Sequence, residues 1–169
     1  MNEIFDIAPY KWDSIFAALF CSTIIGLERQ LRGKPVGVRT ASLIILGTYL
    51  FLSTASMLTG GMVDPSRVVG QVITGIGFLG AGVMLAKDNT VLGVTSAATI
   101  WVLAALGVMI SYGFLMPAVK LAILVVFILW GVDVLEERTV MFSRGVHSRV
   151  QGSLKKDKRS GSKDDPAAG

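Results

Sequence analysis

The side chains that could do chemistry in this sequence are the charged and amide groups standing in or beside long apolar runs. Glu28, Arg39 and Asp133 lie toward one end of those runs, Asp64 and Arg67 toward the other, and Gln71 lies within one. Ionisable groups at such depth mark ion pathways by default. Each also has an ordinary use. Glu28 can pair with Arg32 one helical turn on, or with Arg39, as an interface staple. Asp64 can cap a helix that Pro65 opens, and Gln71 can bond a neighbouring helix. No run carries a carboxylate at its middle. Mg2+ wants about six oxygens and sheds water reluctantly, so no dedicated dehydrated site stands out, and Glu28 and Asp64 are the carboxylates through which a metal would be held.

Other chemistries find little to work with. Gly75-Ile76-Gly77-Phe78-Leu79-Gly80 has the spacing of a dinucleotide fingerprint. That motif needs a preceding strand and a solvent-facing helix start, whereas here it lies inside an apolar run, so no nucleotide cofactor is expected. The single histidine, His147, is in the charged C-terminal segment, and no hydrolase or zinc motif occurs. The lone Cys21 allows no disulfide within the chain. The reading is a non-enzymatic protein without a cofactor, Mg2+ remaining as ligand or substrate.

The elements that must position these groups are membrane helices. A hydrophobic content of 52% over 169 residues is too high for an ordinary soluble domain. Spans of ~20 residues, enough for a hydrocarbon core of about 30 Å, can be placed at residues 12–27, 38–58, 66–86, 91–110 and 117–135. Of the 16 Lys and Arg, all but Lys11, Arg67 and Lys120 fall in segments that become cytoplasmic if the N-terminus is outside. The positive-inside rule therefore predicts an all-α bundle of five transmembrane helices, N-terminus outside and C-terminus cytoplasmic, over residues 1–137. Residues 138–169 read as a charged, disordered cytoplasmic tail with no soluble C-terminal domain. The acidic Glu3 and Asp6 before the first apolar run argue against a cleaved leader. The basic pI of about 9.4 follows from topology and implies contact with anionic lipid, not nucleic acid.

The glycine-rich run from Gly70 to Met84 reads as the central helix. Gly70, Thr74, Gly77 and Ala81 share one stripe, and Gln71, Gly75, Phe78 and Gly82 the next, with Gly80 alongside. Small faces let membrane helices approach closely. The following span answers with Gly93, Ala97, Ile100, Ala104 and Gly107, so these two helices, joined by the short turn Lys87–Thr90, are expected to form the tightest pair. Trp101, mid-span, reads as a packing residue. Serine and threonine at 53, 54 and 56 can bond their own helix and receive no role. Two small faces also leave room for homo-oligomer contacts.

Four ordered blocks, Gly26-Leu27-Glu28-Arg29-Gln30, Gly37-Val38-Arg39-Thr40, Gly75 to Gly82, and Gly93 to Trp101 with Ala104 to Gly107, give the chain a resemblance to the MgtC/SapB family of bacterial membrane proteins. It covers residues 12–135. The resemblance implies a multi-pass protein of the bacterial inner membrane that serves adaptation to low magnesium. Members are often labelled Mg2+ transporters, and regulation of membrane partners, including the ATP synthase, is also attributed to some. The motif residues it carries over are Glu28, Arg29, Arg39, Thr40, Gln71, the glycines of the third helix, Thr95 and Trp101. Longer members have a soluble C-terminal domain where this chain has the charged tail.

Overall fold

A computed structural model of the chain describes residues 6–58, 64–87 and 90–131. The elements are α1 (Trp12–Leu31), α2 (Val38–Leu58), α3 (Pro65–Gly82), β1 (Leu85–Lys87), β2 (Thr90–Leu92), α4 (Val94–Ser111) and α5 (Leu115–Gly131). Three of them, α1, α2 and α4, are long and apolar enough to cross a membrane; α5 is apolar and shorter. The chain divides into two compact units after Ile128, the second of which contributes only the last turn of α5 to the described residues.

The core is built where α2 packs on α1 and on α4. On α1 the buried stripe is Ser14, Ala18, Cys21, Ser22, Ile25, Gly26 and Arg29. Sequence spacing alone puts Ser14, Ala17, Cys21, Ile24 and Glu28 on an inward stripe; the buried face is turned by about one residue from it and takes Arg29 with it. Ile45, Tyr49 and Leu52 of α2 and Leu103, Leu106 and Ile110 of α4 are all buried. Buried hydroxyls stay bonded: Ser22 Oγ donates to the Leu19 carbonyl at 2.9 Å and lies 3.0 Å from Ser42 Oγ, and Thr99 Oγ1 donates to the Thr95 carbonyl at 2.8 Å. Phe16, Phe51, Phe78 and Phe127 point outward, an inversion that suits lipid contact.

Three expectations need correction. The glycine-rich helix is not central: α3 lies at the periphery, with Phe78 82% exposed, and packs chiefly on α4. Among α1 to α4 the most extensive packing is of α2 on α1 and on α4, not of α3 on α4. A stripe of small residues says how close a neighbour can come, not which neighbour comes. The connection between α3 and α4 is an antiparallel hairpin, Leu85 opposite Leu92 and Lys87 opposite Thr90, so α3 ends at Gly82 instead of running to Ala86. An apolar count cannot separate a strand from the end of a helix, and β-branched Thr90 and Val91 tilt the choice. Residues 132–169, including Asp133 and the tail, lie outside the described residues.

Candidate functional site

The last turn of α1 continues past its apolar run because Glu28, Arg29, Gln30 and Leu31 are all good helix formers. Residues four apart share a face, so Glu28 meets Arg32: Nε to Oε1 is 2.7 Å. Arg29 turns the other way, into the core, where its side chain is only 2% exposed. Its Nη1 lies 4.0 Å from Glu28 Oε2, and its Nη2 donates to Ser96 Oγ at 3.1 Å. Glu28, 8% exposed, thus sits between two guanidinium groups. Cations suit the negative C-terminal end of α1; Ser96, however, belongs to the first turn of α4, whose positive end Arg29 also meets. The Glu28 carboxylate is the charge that offsets this mismatch.

Two glycines set the frame. At Gly26 a Cβ would come within 2.5 Å of Val38 Cα, so glycine is what lets α2 start against α1. Gly93 caps α4 in the left-handed region at φ 88°, and a Cβ there would run into the Val83 carbonyl. The loop between α1 and α2 also holds Val36 at φ 71°, a β-branched residue in left-handed backbone, buried beneath the turn. Lys34 N–H bonds the Arg29 carbonyl at 3.0 Å, and Val38 N–H reaches Gln30 Oε1 at 3.4 Å. The cluster is therefore held at both ends of its helix turn.

Of the charged and polar candidates among the described residues, only Glu28 and Arg29 are brought together, with Arg32 and Ser96 completing the group. Ser96 was passed over because it sits in a block read for its small residues; the buried arginine that seeks it is on another helix. Arg39 and Thr40 are exposed on the first turn of α2, and Arg39 forms no ion pair among the described residues. Gln71 is exposed on α3 and bonds no described residue, so the expected tie to a neighbouring helix is not there. Thr95 is exposed. Trp101 is 54% exposed, outside the packing it was expected to fill, beside a small apolar groove lined by Val72, Ile76 and Val108.

The glycines divide in the same way. Among the described residues nothing stands within 4 Å of where a Cβ would be at Gly70, Gly75, Gly77 or Gly82, apart from the helix itself. Gly80 faces Ala97 of α4, at 3.8 Å to its Cβ. Gly107, beside buried Ala104, packs against Thr48 and the Ile45 carbonyl of α2, not against α3.

As a metal ligand, Glu28 already has its charge met by Arg32 and Arg29. Among the described residues no group of at least 3 His, Cys, Asp or Glu side chains gathers. Asp64 is exposed and caps α3, its Oδ1 accepting the Ser66 N–H at 2.9 Å. That hydrogen bond, then one from the Ser66 hydroxyl, holds the Asp64 carboxyl below the usual aspartate range. A lowered folded value means the cap stabilises α3 at pH above the ordinary carboxylate range and is lost as pH falls through the folded value. An NMR titration of the Asp64 side-chain carboxyl carbon should show a midpoint below that of aspartate in an unstructured peptide, with the amide signal of Ser66 moving in step; a midpoint at the peptide value would remove the cap from the account.

The family model described as MgtC family matches residues 15–138. The chain is 46% identical over 106 residues to the putative magnesium transporter YhiD of Escherichia coli strain K12, covering 59% of this chain and 49% of that protein. It is 37% identical over 123 residues to an uncharacterized protein of Haemophilus influenzae, covering 68% and 52%. To protein MgtC of Salmonella typhimurium strain LT2 it is 35% identical over 125 residues, covering 74% and 53%. The chain spans about half the length of the curated relatives it matches. No solved structure matches it.

Proposed function

Because the chain belongs to the MgtC family, we infer that it is a multi-pass protein of the bacterial inner membrane that serves magnesium homeostasis. Its five helices are read as five spans with the N-terminus outside, on the distribution of Lys and Arg. It works without a cofactor and without enzymatic chemistry. The observation that carries the mechanistic reading is the pairing of Glu28 with Arg32 at 2.7 Å and Arg29 at 4.0 Å. A divalent cation would have to displace two guanidinium groups to use that carboxylate. The cluster ties the end of α1 to the start of α4, and a locked frame fits a module that regulates another membrane complex. Transport of Mg2+ is the second reading, favoured by what the Escherichia coli relative is called.

Purified protein in liposomes with a trapped Mg2+ indicator separates the two. The regulatory reading expects entry no faster than in empty vesicles. Saturable entry, reduced when Glu28 and Arg29 are both made neutral in a variant that still folds, would establish transport and overturn it.

A further inference from the structure

A second polar feature lies at the opposite end of α1 from the charge cluster. There the start of α1 and the last turns of α2 and α4 surround a cavity of about 490 Å3, within the usual range for small-molecule sites of roughly 300–1,000 Å3. Lys11 and Asp13 both line it. Neither forms an ion pair with any described residue: Asp13 Oδ1 takes only the Ser14 N–H at 2.7 Å and the Ser14 hydroxyl at 3.4 Å. Asp13 suits the first turn of a helix, but Lys11, at the N-cap, stands at the end where a cation is disfavoured. Two opposite charges therefore face one cavity and leave each other alone.

The walls extend that division. The N-terminal end of α1 carries positive potential, while α2 and α4 bring their negative C-terminal ends to the cavity through Ser56 and Ser111. Beyond the charges the lining turns apolar, with Met57, Val68 and Leu115. The wall is also braced. Lys11 N–H donates to Tyr49 Oη at 3.1 Å, Tyr10 Oη lies 2.8 Å from Thr54 Oγ1, and the Tyr10 and Tyr49 rings meet edge-on at 6.2 Å. Exposed Trp12 and Tyr112 stand at this end of their helices, as aromatic side chains do at the level of lipid headgroups. Ser53 and Ser56, whose hydroxyls were given no role, are part of the lining.

We propose that this cavity binds a zwitterion carrying an ammonium and a phosphate, the chemistry of the phosphoethanolamine headgroup. Lys11 and the start of α1 take the phosphate, Asp13 and the C-terminal ends of α2 and α4 take the ammonium, and the apolar lining takes what the headgroup is attached to. The assignment is independent of how the protein serves magnesium.

Native mass spectrometry of the full chain, released from detergent with equal amounts of phosphatidylethanolamine and phosphatidylglycerol of the same acyl chains, tests it. The expected result is preferential retention of phosphatidylethanolamine, reduced about tenfold by Lys11→Gln and by Asp13→Asn, the effect of one charge-assisted hydrogen bond each. Arg67→Gln, which leaves the cavity lining unchanged, should not alter it. Displacement by free phosphoethanolamine assigns the site to the headgroup chemistry alone; no displacement, with retention still lost in both variants, assigns it to the lipid. Equal retention of the two lipids, or a preference that neither variant reduces while circular dichroism shows them folded, overturns the proposal.

Discussion

Replacing Glu28 with glutamine is expected to lower the stability of the folded chain by about 3–5 kcal/mol, the usual cost of removing one partner from a buried ion pair. The carboxylate is 8% exposed and faces Arg32 at 2.7 Å and Arg29 at 4.0 Å. Without it Arg29, buried and already holding Ser96, would meet the positive end of α4 with no compensating charge. Its Nε is buried and bonds no described residue, so desolvation there is not recovered elsewhere. The consequence runs against simple addition. Arg29→Met on top of Glu28→Gln removes the stranded cation while keeping a side chain of similar length, and the double variant should be more stable than Glu28→Gln alone. Thermal melting in detergent, followed by tryptophan fluorescence across the full double-mutant cycle, gives the coupling directly. If the two losses simply add, the cluster is not one unit and the lock it provides between α1 and α4 is not electrostatic. The same double variant serves the flux assay, since a Glu28→Gln protein that fails to accumulate reports on folding and not on ion movement.

How far such a cluster could be seen beforehand depends on which contacts are local. The pair Glu28 and Arg32 is one turn apart on a single helix, so spacing alone exposes it. The bond from Arg29 to Ser96 joins residues 67 apart in sequence, and only the packing of α1 on α4 creates it. Helix boundaries divide in a similar way. α2 runs from Val38 to Leu58, as its apolar length and the Pro35 and Gly37 before it require. α1 overran its predicted end at Leu27 because helix propensity, not hydropathy, decides where a helix stops once it leaves the apolar zone. That overrun matters to function: it puts Glu28, Arg29 and Arg32 on fixed faces instead of in a loop. The cavity at the far end was hidden because its walls come from different helices, whose hydroxyls each look satisfied when read one helix at a time.

Glycine is where sequence and structure part furthest, and two substitutions should show it. Gly107→Val is expected to be destabilising by about 3 kcal/mol or to prevent accumulation, at or above the top of the range for overpacking. Even the first carbon of a side chain there would sit 2.7 Å from Thr48 Cβ and 2.8 Å from the Ile45 carbonyl oxygen. The carbonyl belongs to the backbone of α2 and cannot swing aside, so the close contact between α2 and α4 would have to open. Gly75→Ala falls at the first glycine of the most conspicuous glycine motif in the chain, yet among the described residues nothing lies within 4 Å of the added carbon. On its own α3 should gain up to about 1 kcal/mol from the better helix former. Unfolding of both variants in detergent measures the contrast. Should Gly75→Ala prove as damaging as Gly107→Val, the exposed face of α3 must be covered in the folded protein, and the same melt repeated across protein concentrations would tell whether a second copy covers it. If Gly75→Ala is neutral to stability but impairs growth in low magnesium, the bare face of α3 is a surface for a partner, which is the outcome the regulatory reading requires.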